Sequence, residues 1–218
     1  MEQIEFEDSL KRIADSLTQP NPIIRDSIVF NEVSDRQPYL ANATVVYMVV
    51  KSEEDSPQAM QSFLSEATKI AMAHKNCKDV ICEDDRLVII YSTAFKEELN
   101  YALDDAARIR SLAMIVTKIG KQSGKGLITV NVGMDFGIVE LYLMGHDLNN
   151  RPIYAWRGPV IKNAKNNAED ASDEVIITRT VWNNLNENNQ KLFTRQNVKN
   201  DNYRGRIINI MMNNWLTK

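Results

Sequence analysis

From Ala43 to Val50 the chain reads Ala-Thr-Val-Val-Tyr-Met-Val-Val, uncharged throughout and rich in β-branched side chains. A strand with one face in water alternates polar and apolar residues, so an unbroken run of this kind predicts a central strand covered on both faces. The other segments must then supply the covering layers. With 218 residues the chain is long enough for one medium domain with a real core.

The segments on either side alternate in type. Leu10, Ile13, Ala14 and Leu17 predict a short leading helix over 8–17, stopped by Pro20 and Pro22. Ser56–His74 opens with Ser-Pro and puts Met60, Phe63, Leu64, Ala67, Ile70 and Ala71 on one stripe, which predicts an amphipathic helix. Val80–Cys82 and Arg86–Tyr91 predict two short strands joined at a tight acidic tip, Glu83-Asp84-Asp85. A long helix follows from Ala94 to Ile119, ended by Gly120. Leu127–Gly133 and Gly137–Met144 predict two strands joined through Met134-Asp135-Phe136. Beyond Pro152–Trp156, the Gly158-Pro159 pair opens a polar helix to Ala171, and Glu174–Thr178 predicts a strand. Arg179–Leu185 is expected as a short helix and Tyr203–Met212 as a last strand. The whole is an α/β alternation without repeat or long linker.

Charge and cysteine content narrow the function classes. Lys and Arg number 26 against 29 Asp and Glu, a net charge of -3, too balanced to predict binding to nucleic acid or to a membrane surface. The longest apolar runs, Ala43–Val50 and Leu87–Tyr91, are far too short to span a bilayer. Cys77 and Cys82 lack zinc-type spacing, and the acidic N-terminus is unlike a secretory signal, so a reducing, cytoplasmic setting is expected. The two cysteines are expected to be small buried hydrophobes and Trp156 and Trp182 core anchors. His74 and His146 have no nucleophile at a telling spacing, and Gly124-Lys-Gly126 lacks the full phosphate-loop pattern.

Three stretches carry a family resemblance. Gly133-Met-Asp-Phe-Gly137, Tyr154-Ala-Trp-Arg-Gly-Pro-Val-Ile-Lys-Asn-Ala164 with Ala168 and Ala171, and Val175-Ile-Ile-Thr-Arg-Thr-Val-Trp-Asn-Asn-Leu185 together resemble the catalytic domain of class III nucleotidyl cyclases. The Trp-x-Gly-Pro form is most similar to the bacterial pyrimidine cyclases of phage defence. The resemblance implies an α/β (α+β) fold, a ferredoxin-like sandwich with a mixed sheet and helices on its outer face. It also implies a nucleotidyl cyclase-like domain over 40–190, preceded by an N-terminal helix and extension (1–39) and followed by a C-terminal strand extension packed on the same domain (191–218).

The family's chemistry gathers a triphosphate around two divalent metals, Mg²⁺ or Mn²⁺, and so requires two carboxylates aimed at one point. By resemblance Asp85 falls at the hairpin carboxylate, Asp84 where the family has glycine, and Val49 where the first strand should carry the other metal-binding Asp. A valine cannot coordinate a metal. Glu53, Glu54 or Asp55 can lend a displaced carboxylate in its place. Lys162 falls at the ribose-positioning Asn, and Asn166 at the basic residue that stabilises charge on the transferring phosphate. A register shifted by one puts Asn163 at the ribose position but misaligns Ala164 and Ala168. Lys51, Lys162 and Lys165 are candidates for a triphosphate-binding patch.

Family members draw these residues from opposite subunits, so the implied partners are a nucleoside triphosphate and a second chain, either a homodimer mate or an intact cyclase. The leading expectation is a divergent cyclase homologue that does not run standard two-metal cyclisation and acts by nucleotide binding or partner pairing. The alternatives are an active cyclase making cyclic UMP or CMP, with Asp85 and an acid from 53–55 holding metal, and an unrelated protein-interaction domain.

Overall fold

The computed structural model describes residues 10–11, 13–14, 21–35, 37–52, 56–122, 127–196 and 201–216. Of the leading helix, Leu10, Lys11, Ile13 and Ala14 are helical, and the rest of that span lies outside the described residues. The expected central strand is β2 (Tyr39–Ser52), preceded by β1 (Ile23–Arg25), which runs parallel to its first residues. Next come α1 (Pro57–Met72), the hairpin β3 (Cys77–Glu83) and β4 (Arg86–Ser92), and α2 (Lys96–Gln122). The second half runs β5 (Ile128–His146), β6 (Pro152–Arg157), α3 (Pro159–Asp170), β7 (Val175–Thr178), α4 (Arg179–Asn184), α5 (Glu187–Gln190), β8 (Thr194–Arg195), β9 (Asn202–Gly205) and α6 (Ile210–Leu216).

The strands form one mixed sheet in the order β3-β4-β2-β5-β7-β9-β8, with β6 paired to the far end of β5. β2 is antiparallel to both β4 and β5, while β5 and β7 are parallel. Alternation along β2 divides the core in two. Val46, Met48 and Val50 face α1, α2 and α4, with Phe63, Leu99 and Ile109 wholly buried among them. Burying Phe63 this way contributes about 2–3 kcal/mol. Ala43, Val45 and Tyr47 face the other way and pack against Val160, Ala164 and Ala168 of α3. Helices therefore cover both faces, not the outer face alone, which is why residues 43–50 carry no polar face.

Three segment expectations are corrected. The two strands expected over 127–133 and 137–144 are one continuous β5, because Met134-Asp135-Phe136 pairs residue for residue with Val46, Val45 and Thr44 instead of turning. Gly133 serves a different purpose. A Cβ there would lie 1.9 Å from the Ala164 carbonyl oxygen and 2.4 Å from the Ala168 nitrogen, so only glycine lets the α3 backbone lie this close to the sheet. Gly120 does not end α2, which runs on to Gln122 with Gly120 buried. The last strand stops at Gly205, and Tyr203–Met212 does not continue extended: Arg110 takes the Ile207 carbonyl at 2.7 Å, and Asn209 Oδ1 accepts from Met212 N to start α6.

Gly133→Ala should destabilise the protein by about 3 kcal/mol or more, since two main chains must separate and no rotamer can relieve the overlap. A urea midpoint unchanged from wild type would show that α3 does not depend on this close approach.

Candidate functional site

The expected site residues lie around the end of β2, the β3–β4 turn and α3. Glu83 closes β3, and the two-residue turn is Asp84-Asp85, with Asp84 at φ 51, a left-handed conformation that Asp tolerates and glycine prefers. The turn is anchored to β2 because Val50 N donates to the Asp85 carbonyl at 2.7 Å. Both acidic side chains stand in solvent. The Asp85 carboxylate lies 3.6 Å from Arg86 Nε, an exposed pair that contributes little to stability. Across the ladder Arg86 pairs with Val49, and Val49 packs against the apolar cluster under α3.

Tyr47 collects the charges of this corner. Its side chain is buried, and burial pushes the phenol pKa up, with Arg86 opposing and Glu169, Glu83 and Asp85 reinforcing the rise. The tip, Arg86 and the C-terminal turn of α3 are thus within electrostatic reach of one buried hydroxyl. Lys51 leaves the end of β2 exposed, on the same face as Val49.

Lys162 and Asn166 are exposed on α3, and Lys165 is half-buried with its ammonium 3.7 Å from Glu169. No hydrogen bond or ion pair joins these three to the tip among the described residues. Asn163 is committed elsewhere, its Nδ2 donating to Asp135 Oδ2 at 2.9 Å. A single chain thus groups Lys51, Asp84 and Asp85 at one corner, with Lys162 and Asn166 exposed on α3 and not bonded to that corner among the described residues.

Two polar connections were not anticipated from sequence. Asp135, buried on β5, accepts from Thr178 Oγ1 at 2.6 Å, from Asn163 and from Phe136 N at 2.8 Å. It ties the sheet to α3 and to the first turn of α4, which Thr178 caps. Desolvation raises its carboxyl pKa, and the three donors pull it back. On the same face, Trp156 Nε1 of β6 donates to Asp79 Oδ2 of the edge strand β3 at 2.6 Å, and Phe30 stacks on Tyr154 at 4.9 Å. By sequence Asp135 falls in the expected connection between two strands, where an acidic residue is unremarkable, so nothing local signals its burial.

The described residues of this corner do not by themselves fit a two-metal centre. Among the described residues no group of three or more His, Cys, Asp and Glu stands where it can hold a metal ion. Next to Asp85 the ladder sets Val49 opposite Arg86, an alkyl chain and a fixed cation, neither of which coordinates a dication. Glu53, Glu54 and Asp55 lie outside the described residues.

Asp135→Ala should cost about 2–3 kcal/mol by leaving buried donors unpaired. The pH dependence has a definite sign: with the folded pKa raised, the stabilising contribution is complete below the usual carboxyl value of about 4 and is lost as pH rises through the raised value. The stability advantage of wild type over Asp135→Asn should accordingly shrink as pH rises from about 3, then level off. A pH-independent difference in urea titrations would rule this out.

Comparison with known proteins places the architecture. No protein-family model matches the chain. A uridylate cyclase of Treponema porcinum is 22% identical over 178 residues, which cover 77% of this chain and 61% of that protein, so the chain spans about three-fifths of this relative's length. Among solved structures, the adenylyl cyclase CyaB of Pseudomonas aeruginosa superposes with a TM-score of 0.63 at 13% identity, covering 77% of this chain and 95% of that one. The guanylyl cyclase Cya2 superposes at 0.59 with 11% identity over 76% and 90%. A class III adenylyl cyclase-like ATP-binding protein from Pseudomonas aeruginosa superposes at 0.69 with 11% identity, covering 96% of this chain and 48% of that one. The chain has the fold of the class III nucleotidyl cyclases, as its motifs implied, with a mixed sheet and α+β layers. No helix among the described residues is long and apolar enough to cross a membrane.

Proposed function

We propose that this chain is a divergent nucleotidyl cyclase homology domain that binds a nucleoside triphosphate, pairs with a second chain, and does not run two-metal cyclisation. The observation that carries the reading is the Val49–Arg86 pair facing the Asp85 corner. Losing one carboxylate from a two-metal site removes about 4 kcal/mol of transition-state stabilisation, roughly a thousandfold in rate. Binding tolerates this loss better, because Lys51, Lys162 and Lys165 retain cationic side chains to meet phosphate oxygens. Lys162 and Asn166 are exposed and make no hydrogen bond or ion pair with the tip among the described residues, which agrees with a site completed by a second copy or an intact cyclase. The similar class III adenylyl cyclase-like ATP-binding protein from Pseudomonas aeruginosa agrees with the reading. A cytoplasmic place in cyclic-nucleotide signalling goes with it.

The second reading is an active cyclase producing cyclic UMP or CMP in bacterial antiviral defence, with Asp85 and an acid from 53–55 holding Mg²⁺ or Mn²⁺. The uridylate cyclase relative favours it.

One experiment separates the two. Incubated with ATP, GTP, CTP and UTP in Mn²⁺ and followed by mass spectrometry, the protein should give at least roughly a thousandfold less cyclic product than an intact relative. At least one triphosphate should still raise its melting temperature. Robust cyclic product that Asp85→Ala abolishes would establish the second reading.

A further inference from the structure

The ladder between β2 and β4 sets Val49 directly opposite Arg86, so their side chains stand next to each other on the face that carries Tyr47. A metal-binding corner needs carboxylates there. This chain instead presents an alkyl group, already packed into the apolar cluster, and a guanidinium 3.6 Å from the Asp85 carboxylate. Arginine does not lose its charge at any physiological pH, and its planar fork of N–H donors matches phosphate oxygens as well as carboxylate oxygens.

Accessibility agrees. The Arg86 side chain remains 41% exposed beside Asp85, so its donors face solvent as well as the carboxylate. Lys51 leaves β2 two residues beyond Val49 on the same side of the sheet. The acidic groups around the corner are partly compensated: Arg86 faces Asp85, Lys165 faces Glu169, and Glu83 and Asp84 stand in water, where screening is strong.

We propose that Arg86 takes the metal's place: it is the chain's own cation for the phosphate groups of a bound nucleoside triphosphate, so that binding requires no divalent ion. This inference rests on the nucleotide-binding reading above and specifies its chemistry. Arg86 acts here as a ligand-binding group, and no bond is made or broken.

The test measures binding of UTP and ATP to the full chain by calorimetry and thermal shift, once with EDTA and once with Mg²⁺, together with Mn²⁺ alone followed by electron paramagnetic resonance. Affinity should be the same within about twofold in the two buffers, and Mn²⁺ without nucleotide should remain free. Arg86→Ala should weaken nucleotide binding by about tenfold or more, as expected for loss of a charged hydrogen bond. Arg86→Lys should restore part of it, and a urea midpoint near wild type verifies that both variants fold. Binding that appears only with Mg²⁺, tight binding of Mn²⁺ alone, or wild-type affinity in Arg86→Ala would each overturn this inference and leave the nucleotide-binding reading standing. Failure of every triphosphate in both buffers would overturn that reading, and this inference with it.

Discussion

The antiparallel ladder between β2 and β5, from Tyr39 opposite Leu141 to Ser52 opposite Ile128, is the constraint on which the other features depend. Both strands are covered on both faces at their centre, so a shift by one residue would exchange the two cores completely. That register puts Gly133 beside Tyr47 and Asp135 beside Val45, on the face where α3 lies. It also orders β4, whose own pairing with β2 brings the acidic turn to Val50 and Arg86 to Val49. The chemistry of the corner is therefore inherited from strand pairing, with little contribution from local preference.

The docking of α3 is the second level. Its backbone approaches β5 at Gly133, its Asn163 is held by buried Asp135, and Asn167 Oδ1 accepts from Asn202 Nδ2 at 2.7 Å. These polar ties join α3 to both halves of the sheet and fix how the helix is rolled about its axis. Lys162, Asn166 and Glu169 share one exposed stripe of α3, and Glu169 lies within electrostatic reach of Tyr47.

Some of this was legible in the chain. The unbroken run 43–50 identified β2, the Glu-Asp-Asp tip identified the hairpin, and the Trp-x-Gly-Pro stretch located the start of α3 and the family of folds. The strand–turn–strand reading of 127–144 failed because Gly133 and Gly137 look like turn residues in isolation, whereas the glycine at 133 serves a helix some thirty residues later. The strand expected over 203–212 failed for a similar reason, since Arg110, nearly a hundred residues away, captures the Ile207 carbonyl. At the corner, Val49 was legible as a side chain without oxygen, but Arg86 passed for an ordinary strand residue because nothing local shows what lies across the ladder.

The sequence by itself determined the kinds of element and their order. Hydrophobic periodicity, proline position and turn chemistry act over a few residues and need no partner to be read. It also determined that position 49 offers no metal ligand, because a valine lacks oxygen whatever its surroundings. Only the tertiary structure decided that one helix covers the second face, that a buried aspartate ties it to the sheet, and that an arginine stands opposite the valine. These follow from cross-strand register and close backbone approach, interactions between residues far apart in the chain whose geometry exists only once the whole sheet has formed.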